Sequence, residues 1–228
     1  MSASTPASGN HPVPHAVNAI GNIVTEDPQS WNILWQRKIT PWDTGKVQPP
    51  LRTLIESEEV PFPKEGRALV PGCGRGYDPI YFASTLGLEA FGLEASSIAI
   101  DAAKELIATT PELASKVHIQ AADFFEYKVA DENKFQLIYD YTFFVAIPPS
   151  KRGLWGAQIN SLISPGGYLI TLMFPYVPDS PYSTGPPFYS NFDSYAEVLG
   201  PGWEVVYDKI PEDAPPAGNR MVVWKRGI

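Results

Sequence analysis

The run Arg67-Ala68-Leu69-Val70-Pro71-Gly72-Cys73-Gly74-Arg75-Gly76-Tyr77-Asp78 constrains the fold of this chain more than any other feature. A short apolar stretch ends in glycines at alternate positions, and a helical pattern starts at Asp78. That is a strand, a tight turn and a helix N-terminus, the unit with which open α/β sheets hold nucleotides beyond a strand's carboxyl end. Glycine serves there because the backbone must turn sharply and come close to a ligand with no Cβ in the way. The spacing is G-x-G-x-G, and Tyr77 stands where the dinucleotide fingerprint requires its third glycine.

Strands and helices alternate after this turn. Arg67–Pro71 reads as the first strand and Asp78–Leu86 as the first crossover helix. Glu89–Leu93 is the second strand, and Ser96–Thr109 is an amphipathic helix stopped by Pro111. Val117–Ala121 and Phe135–Tyr141 are the third and fourth strands. Lys151–Ile163 is helical and ends at the Ser164-Pro165-Gly166-Gly167 turn. Tyr168–Phe174, almost wholly apolar, reads as a central parallel strand. Residues 175–190 carry five prolines among aromatics, too many for a passive connection. Phe192–Leu199 is a helix, and Trp203–Lys209 and Met221–Lys225 can pair as a hairpin. Before the alternation, Ser30 can cap a short helix through Trp31, Leu34 and Trp35, and residues 50–58 suggest a second helix. The expected fold is a doubly wound, Rossmann-like α/β domain over residues 25–228: a mostly parallel seven-stranded sheet with an antiparallel edge strand. Residues 1–24, rich in Ser, Ala, Pro and Asn without periodicity, read as a flexible arm able to fold over an occupied site.

Composition narrows the function. The 228 residues carry a net charge of −8, which argues against nucleic acid, whose phosphates demand a basic face. No apolar run approaches the ~20 residues of a membrane span, and no signal pattern opens the chain. Cys73 is the only cysteine, which suits a reducing compartment and excludes intramolecular disulfides. Together with His11, His15 and His118 it forms no metal-ligand cluster. A cytoplasmic monomer acting on a small molecule, without nucleic-acid or membrane partners, is the expectation.

In such sheets the ligand lies beyond the carboxyl ends of the strands. Gly72, Gly74 and Gly76 follow strand one. Glu94 ends strand two, about twenty residues on, where an acid accepts hydrogen bonds from ribose hydroxyls; a solvated loop carboxylate is the plain alternative. Asp123 and Phe124 follow strand three, where the carboxylate can accept from an adenine amino group while the ring covers the base. Asp123 reads equally as a turn cap. Asp140-Tyr141 ends strand four. Cys73 lacks a neighbouring histidine to activate it and reads as a small residue packed inside the turn. Arg220 reads either as an anion contact or as an ordinary surface arginine.

The motifs, in order, resemble those of the thiopurine methyltransferase-like superfamily, and within it the halide and thiol methyltransferases, the plant-type enzymes that form methyl halides and methyl thiocyanate. The resemblance covers about residues 30–226. It rests on Trp31-Asn32-Ile33-Leu34-Trp35, Thr40-Pro41-Trp42-Asp43-Thr44-Gly45 and Arg67 through Gly74. It continues through Asp140-Tyr141-Thr142-Phe143-Phe144-Val145-Ala146-Ile147, Leu169-Ile170-Thr171-Leu172-Met173-Phe174-Pro175 and the Gly185-Pro186-Pro187 turn. The resemblance implies S-adenosylmethionine as cofactor, with Trp31, Trp35 and Trp42 enclosing it. Gly72 would touch its methionyl part, Glu94 its ribose, and Asp123 with Phe124 its adenine. Tyr141 and Trp42 would act at the transferred methyl, and Phe144, Phe174 and Arg220 would line the acceptor pocket, an apolar cage. Glu94 stands where the plant-type enzymes have Asp and the thiopurine branch has Glu. Phe174 stands where the plant-type pattern has Tyr.

The implied reaction moves a methyl group to a small soft nucleophile: halide, bisulfide, thiocyanate or thiol. A larger thiol metabolite is the nearest alternative, and a binding module without turnover is another. A nicotinamide oxidoreductase is disfavoured by Tyr77.

Overall fold

The computed structural model describes residues 20–25, 27–176, 185–212 and 218–228. Half of the proline-rich segment expected at 175–190, namely 177–184, and residues 1–19 of the expected arm lie outside the described residues. Residues 20–24 are described and packed. Ile20 is only 3% exposed, and its carbonyl accepts from the N–H groups of Ile23 and Val24. The packed body therefore begins before residue 25.

The elements are α1 (Ser30–Gln36), α2 (Pro49–Glu56), β1 (Arg67–Pro71), α3 (Tyr77–Leu86), β2 (Glu89–Glu94), α4 (Ser97–Ala108), β3 (Val117–Ala121), β4 (Phe135–Tyr141), α5 (Arg152–Leu162), β5 (Ile163–Met173), α6 (Phe192–Leu199), β6 (Trp203–Lys209) and β7 (Arg220–Arg226). They make one seven-stranded sheet in the order β3-β2-β1-β4-β5-β7-β6. β1 to β5 are parallel, and β7 runs antiparallel to both its neighbours. The expected terminal hairpin forms, with its second strand inside and β6 on the rim.

Side-chain alternation explains the layers. Ala68 and Val70 of β1, Leu137 and Tyr139 of β4, and Ile170 and Leu172 of β5 bury against α2 and α3. Leu69, Ile138, Leu169 and Met173 bury on the opposite face against Trp155, Ile159 and Leu162 of α5 and Tyr195 and Leu199 of α6. Strands covered on both faces must be apolar throughout, which is why β5 reads as a continuous hydrophobic run.

Two helix starts differ in kind. Ser96 accepts from the Ala99 N–H and caps α4, whereas the residue before α1 is Gln29, which offers no side-chain cap. Ser30 instead braces the preceding loop: its hydroxyl accepts from Thr25 N and donates to Asp27 O. β5 starts at Ile163, so the expected Ser164–Gly167 turn is absorbed as an irregularity in its pairing with β4 between Phe135 and Leu137. Among the described residues no helix is long and apolar enough to cross a membrane.

Strand order reverses between β1 and β4. Connections leave these two strands in opposite directions, which opens a crevice at their carboxyl ends.

Candidate active site

The crevice is floored by the glycine turn. Gly72, Gly74 and Gly76 all have positive φ, at 60°, 53° and 78°. At Gly72 a Cβ would lie 2.6 Å from the Phe143 ring, so that ring can pack against this backbone only because the residue is glycine. Cys73 is buried within the turn, its N–H donating to Leu93 O at 3.1 Å. A Cβ on Gly92 would meet its sulfur at 2.5 Å. Burial, with the charges of Glu94 and Asp78, pushes the thiol well above its ordinary range. Cys73 is thus a packing residue and no nucleophile, as its motif context suggested.

Glu94 lies immediately beneath the turn, 8% exposed. Its Oε2 accepts from Gly74 N, and its Oε1 from both Ala95 N and Ser96 N, all at 2.9 Å. Burial pushes the Glu94 carboxyl above the usual carboxylate range, and these three donors oppose the shift. A carboxylate has about four acceptor positions, so the position left for a further donor is on Oε2. The residue ties β2 to the glycine turn before any ligand arrives.

One wall is α1 and the loop after it. The Asn32 side-chain oxygen accepts from Ser96 Oγ at 2.7 Å, which docks α1 onto the start of α4. This brings the three tryptophans together. Trp42 meets Trp31 edge-on at 5.4 Å between centroids and Trp35 at 6.3 Å. Trp35 and Trp42 line the cleft, and Trp31 supports Trp42 from behind. Arg75 holds the loop by donating from Nε to Asp43 Oδ2 at 2.6 Å, with its guanidinium 5.6 Å from the Trp35 ring centre.

The other wall is the end of β4. Pleating sends Asp140 away from the cleft, where its Oδ2 accepts from Trp155 Nε1 at 2.9 Å and its Oδ1 from Phe144 N at 3.1 Å. Burial holds this acid up to about 6. Tyr139 and Tyr141 point the other way, into the cleft. Tyr141 is pushed up to about 12 by burial and by the Asp78 charge, so it is a neutral phenol able to donate. Thr142 follows with φ 62°, a left-handed conformation that is strained for a β-branched residue and that turns the chain at the cleft's lip.

Asp78, in the first turn of α3, completes the wall. Its side chain is half-buried, with Oδ1 shielded from solvent and without a hydrogen-bond partner. Desolvation raises it to about 7.

Several expected residues sit elsewhere. Asp123 is exposed, and its Oδ1 accepts from Phe125 N at 2.9 Å, so the turn-cap alternative is realised, with Oδ2 outside that bond. Phe124 is 3% exposed and packs edge-on against Phe143 and Phe125; the less buried aromatic surface there belongs to its two neighbours. Phe144 is not a pocket residue: it is fully buried in the opposite layer, stacked on Tyr195 at 3.9 Å. Phe174, half-buried beyond β5, lies outside the cleft lining. Arg220 is committed elsewhere, donating from Nε and Nη2 to the Asp208 carboxylate and from Nη1 to Tyr176 Oη. An arginine held by a bidentate carboxylate is a structural pair, not an open anion site. The cage expected from Trp42, Tyr141, Phe144 and Phe174 is therefore replaced by a cleft with phenols in its wall. Asp78 and Tyr139 were missed. The signal for Asp78 was an acid at the second position of the helix that the glycine turn opens.

Residues 26–220 match the family model described as thiopurine S-methyltransferase. The chain is 41% identical over 198 residues to "Probable thiol methyltransferase 2" of Arabidopsis thaliana, covering 86% of this chain and 82% of that protein. It is 36% identical over 179 residues to "Thiocyanate methyltransferase 1" of the same plant, covering 78% and 74%. Among solved structures, 1,6-didemethyltoxoflavin-N1-methyltransferase of Burkholderia thailandensis, which contains S-adenosylhomocysteine, superposes with a TM-score of 0.69 at 16% identity, covering 98% of this chain and 94% of that one. At that identity the last likeness concerns the fold.

Proposed function

Since the chain belongs to the thiopurine S-methyltransferase family, we propose that it transfers a methyl group from S-adenosylmethionine to a small soft nucleophile, with thiols, bisulfide and thiocyanate first and halides next. The observation that carries the reading is the cleft at the β1/β4 switch point, floored by Gly72 and Gly74 and walled by Trp35, Trp42 and Tyr141. The residues suit the cofactor. Gly72 and Gly74 bring side-chain-free backbone to the cleft floor, and the tryptophans offer aromatic faces to a cation. Relatives named for thiol and thiocyanate methylation support the acceptor class.

Bound S-adenosylmethionine supplies an electrophilic methyl group on a sulfonium. Gly72 and Gly74 would carry its methionyl part, Glu94 Oε2 its ribose, and Asp123 with the Phe124 aromatic cluster its adenine. Trp31 holds Trp42 in place, and Trp35 and Trp42 exclude water from the reacting centre. The acceptor needs little activation: bisulfide and thiocyanate are anions near pH 7, and a thiol with a reference pKa of about 8.5 is a few per cent thiolate. The work left to the chain is alignment of nucleophile, methyl carbon and sulfur in a dry space. The Tyr141 hydroxyl, and Tyr139's, whose oxygen has no partner among the described residues, can replace part of an anion's lost hydration. Tyr141 and Trp42, which line the cleft, would stand at the methyl, while Phe144 and Arg220 are left out of this reading of the acceptor site.

The test is headspace analysis of purified protein given S-adenosylmethionine with bisulfide, thiocyanate, iodide or chloride in turn. Methanethiol and methyl thiocyanate are expected, with iodide turned over faster than chloride because it sheds water more easily. Turnover of none of these, with a bulky thiol accepted, moves the chain to the larger-thiol alternative.

A further inference from the structure

A carboxylate oxygen shielded from water and left without a partner is costly unless something pairs with the group. Asp78, half-buried overall, has such an oxygen. It lies in the cleft wall with Oδ1 shielded and unbonded, on the side of the glycine turn where Tyr139 and Tyr141 stand, whereas Glu94 is bonded to the turn from the β2 side. Its place in the first turn of α3 favours the anion through the helix dipole, yet burial outweighs this. Among the described residues no ion pair to Asp78 is shown: of the two cations that line the cleft, Arg75 is paired with Asp43 and Lys46 is not joined to Asp78.

We propose that Asp78 is the acceptor for the ammonium group of the cofactor's amino-acid portion, so that the ligand brings the missing counter-charge to this wall. The inference rests on the S-adenosylmethionine reading of the cleft. Of the two cations the cofactor carries, only the ammonium has N–H groups to give to the Asp78 carboxylate. A carboxylate held against the sulfonium methyl would instead compete with the acceptor as a nucleophile. Tyr139 and Tyr141 from β4 and Cys73 from the turn face Asp78, and burial keeps all three protonated near neutrality. Tyr77, Arg75, Asp43 and Lys46 stand on the same cleft wall. Asp78 is therefore the facing group that changes charge near pH 7.

Two consequences are measurable by calorimetry on the full chain, with no turnover required. In the native protein, S-adenosylhomocysteine should bind more tightly than its deaminated analogue by about 10- to 100-fold, the range for a hydrogen bond to a charged group. In Asp78→Asn that ratio should shrink to about threefold or less. Binding also ionises Asp78, so the native protein should release about half a proton at pH 7, and its affinity should fall about tenfold per pH unit below 7. The proton release is read in buffers of different ionisation enthalpy and needs no variant, so it stands even if Asp78→Asn folds poorly. Native protein that binds S-adenosylhomocysteine with equal penalties for deamination in both proteins, or with no proton release, overturns the assignment of Asp78 alone. Native protein that binds neither ligand overturns the cofactor reading as well.

Discussion

Asp78→Asn should make the ligand-free protein more stable relative to the native chain as pH rises, and the size of the effect follows from the site. An aspartate in an unfolded chain titrates near 4, while Asp78 in the folded chain titrates at about 7 because burial disfavours its charge. A folded-state value above the unfolded one means that the native protein binds the proton more tightly. Stability is then lost as pH climbs from about 4 to about 7. Three units at 1.36 kcal/mol each amount to about 4 kcal/mol, of which about 2.5 falls between pH 5 and pH 8. Asparagine does not titrate, so its own packing and hydrogen-bond changes give an offset that is the same at every pH. Asp140, raised to about 6, has the same sign but is present in both proteins and cancels. Denaturant unfolding of both proteins at pH 5 and pH 8 should show the variant gaining about 2.5 kcal/mol on the native chain, or roughly 5–10 °C in Tm for a chain of this length. Stability curves that run parallel across this range would refute the claim that the Asp78 carboxyl is desolvated and uncompensated in the free protein.

Two further outcomes bear on the cofactor wall. If Trp31, Trp35 and Trp42 close over the cofactor, S-adenosylhomocysteine should shift tryptophan fluorescence and slow tryptic cleavage at Arg37, Lys38 and Lys46; cleavage at equal rates with and without ligand leaves them as ordinary packing. Glu94→Ala removes the ribose acceptor and orphans the N–H groups of Gly74, Ala95 and Ser96, so calorimetry should show binding weakened by about 1.5–3 kcal/mol along with a lower Tm; a lower Tm with unchanged affinity would assign Glu94 to the turn alone.

Much of this protein was legible along the chain. The glycine turn, the alternation of apolar runs with amphipathic stretches, and the breaker at Pro111 are local signals. Local rules place a strand, a turn and a helix start at Arg67–Asp78 and place the seven strands within a few residues. Motif order also sufficed for the family, and for the approach of Trp31, Trp35 and Trp42, because those tryptophans sit on one short helix and the loop that leaves it. What the sequence could not decide is which face each side chain takes and what already occupies it. Phe144 and Tyr141 are three residues apart on one motif, yet the chain turns at Thr142, sending one ring into the α5–α6 layer and leaving the other in the cleft. Arg220 and Asp208 meet only because β6 and β7 pair. Asp78 looks like any acid in a first helical turn until α3 packs on the sheet and its Oδ1 is shielded from water. Burial and partnership are sums over segments far apart in sequence, so the charge state of a site, unlike its backbone, belongs to the tertiary structure.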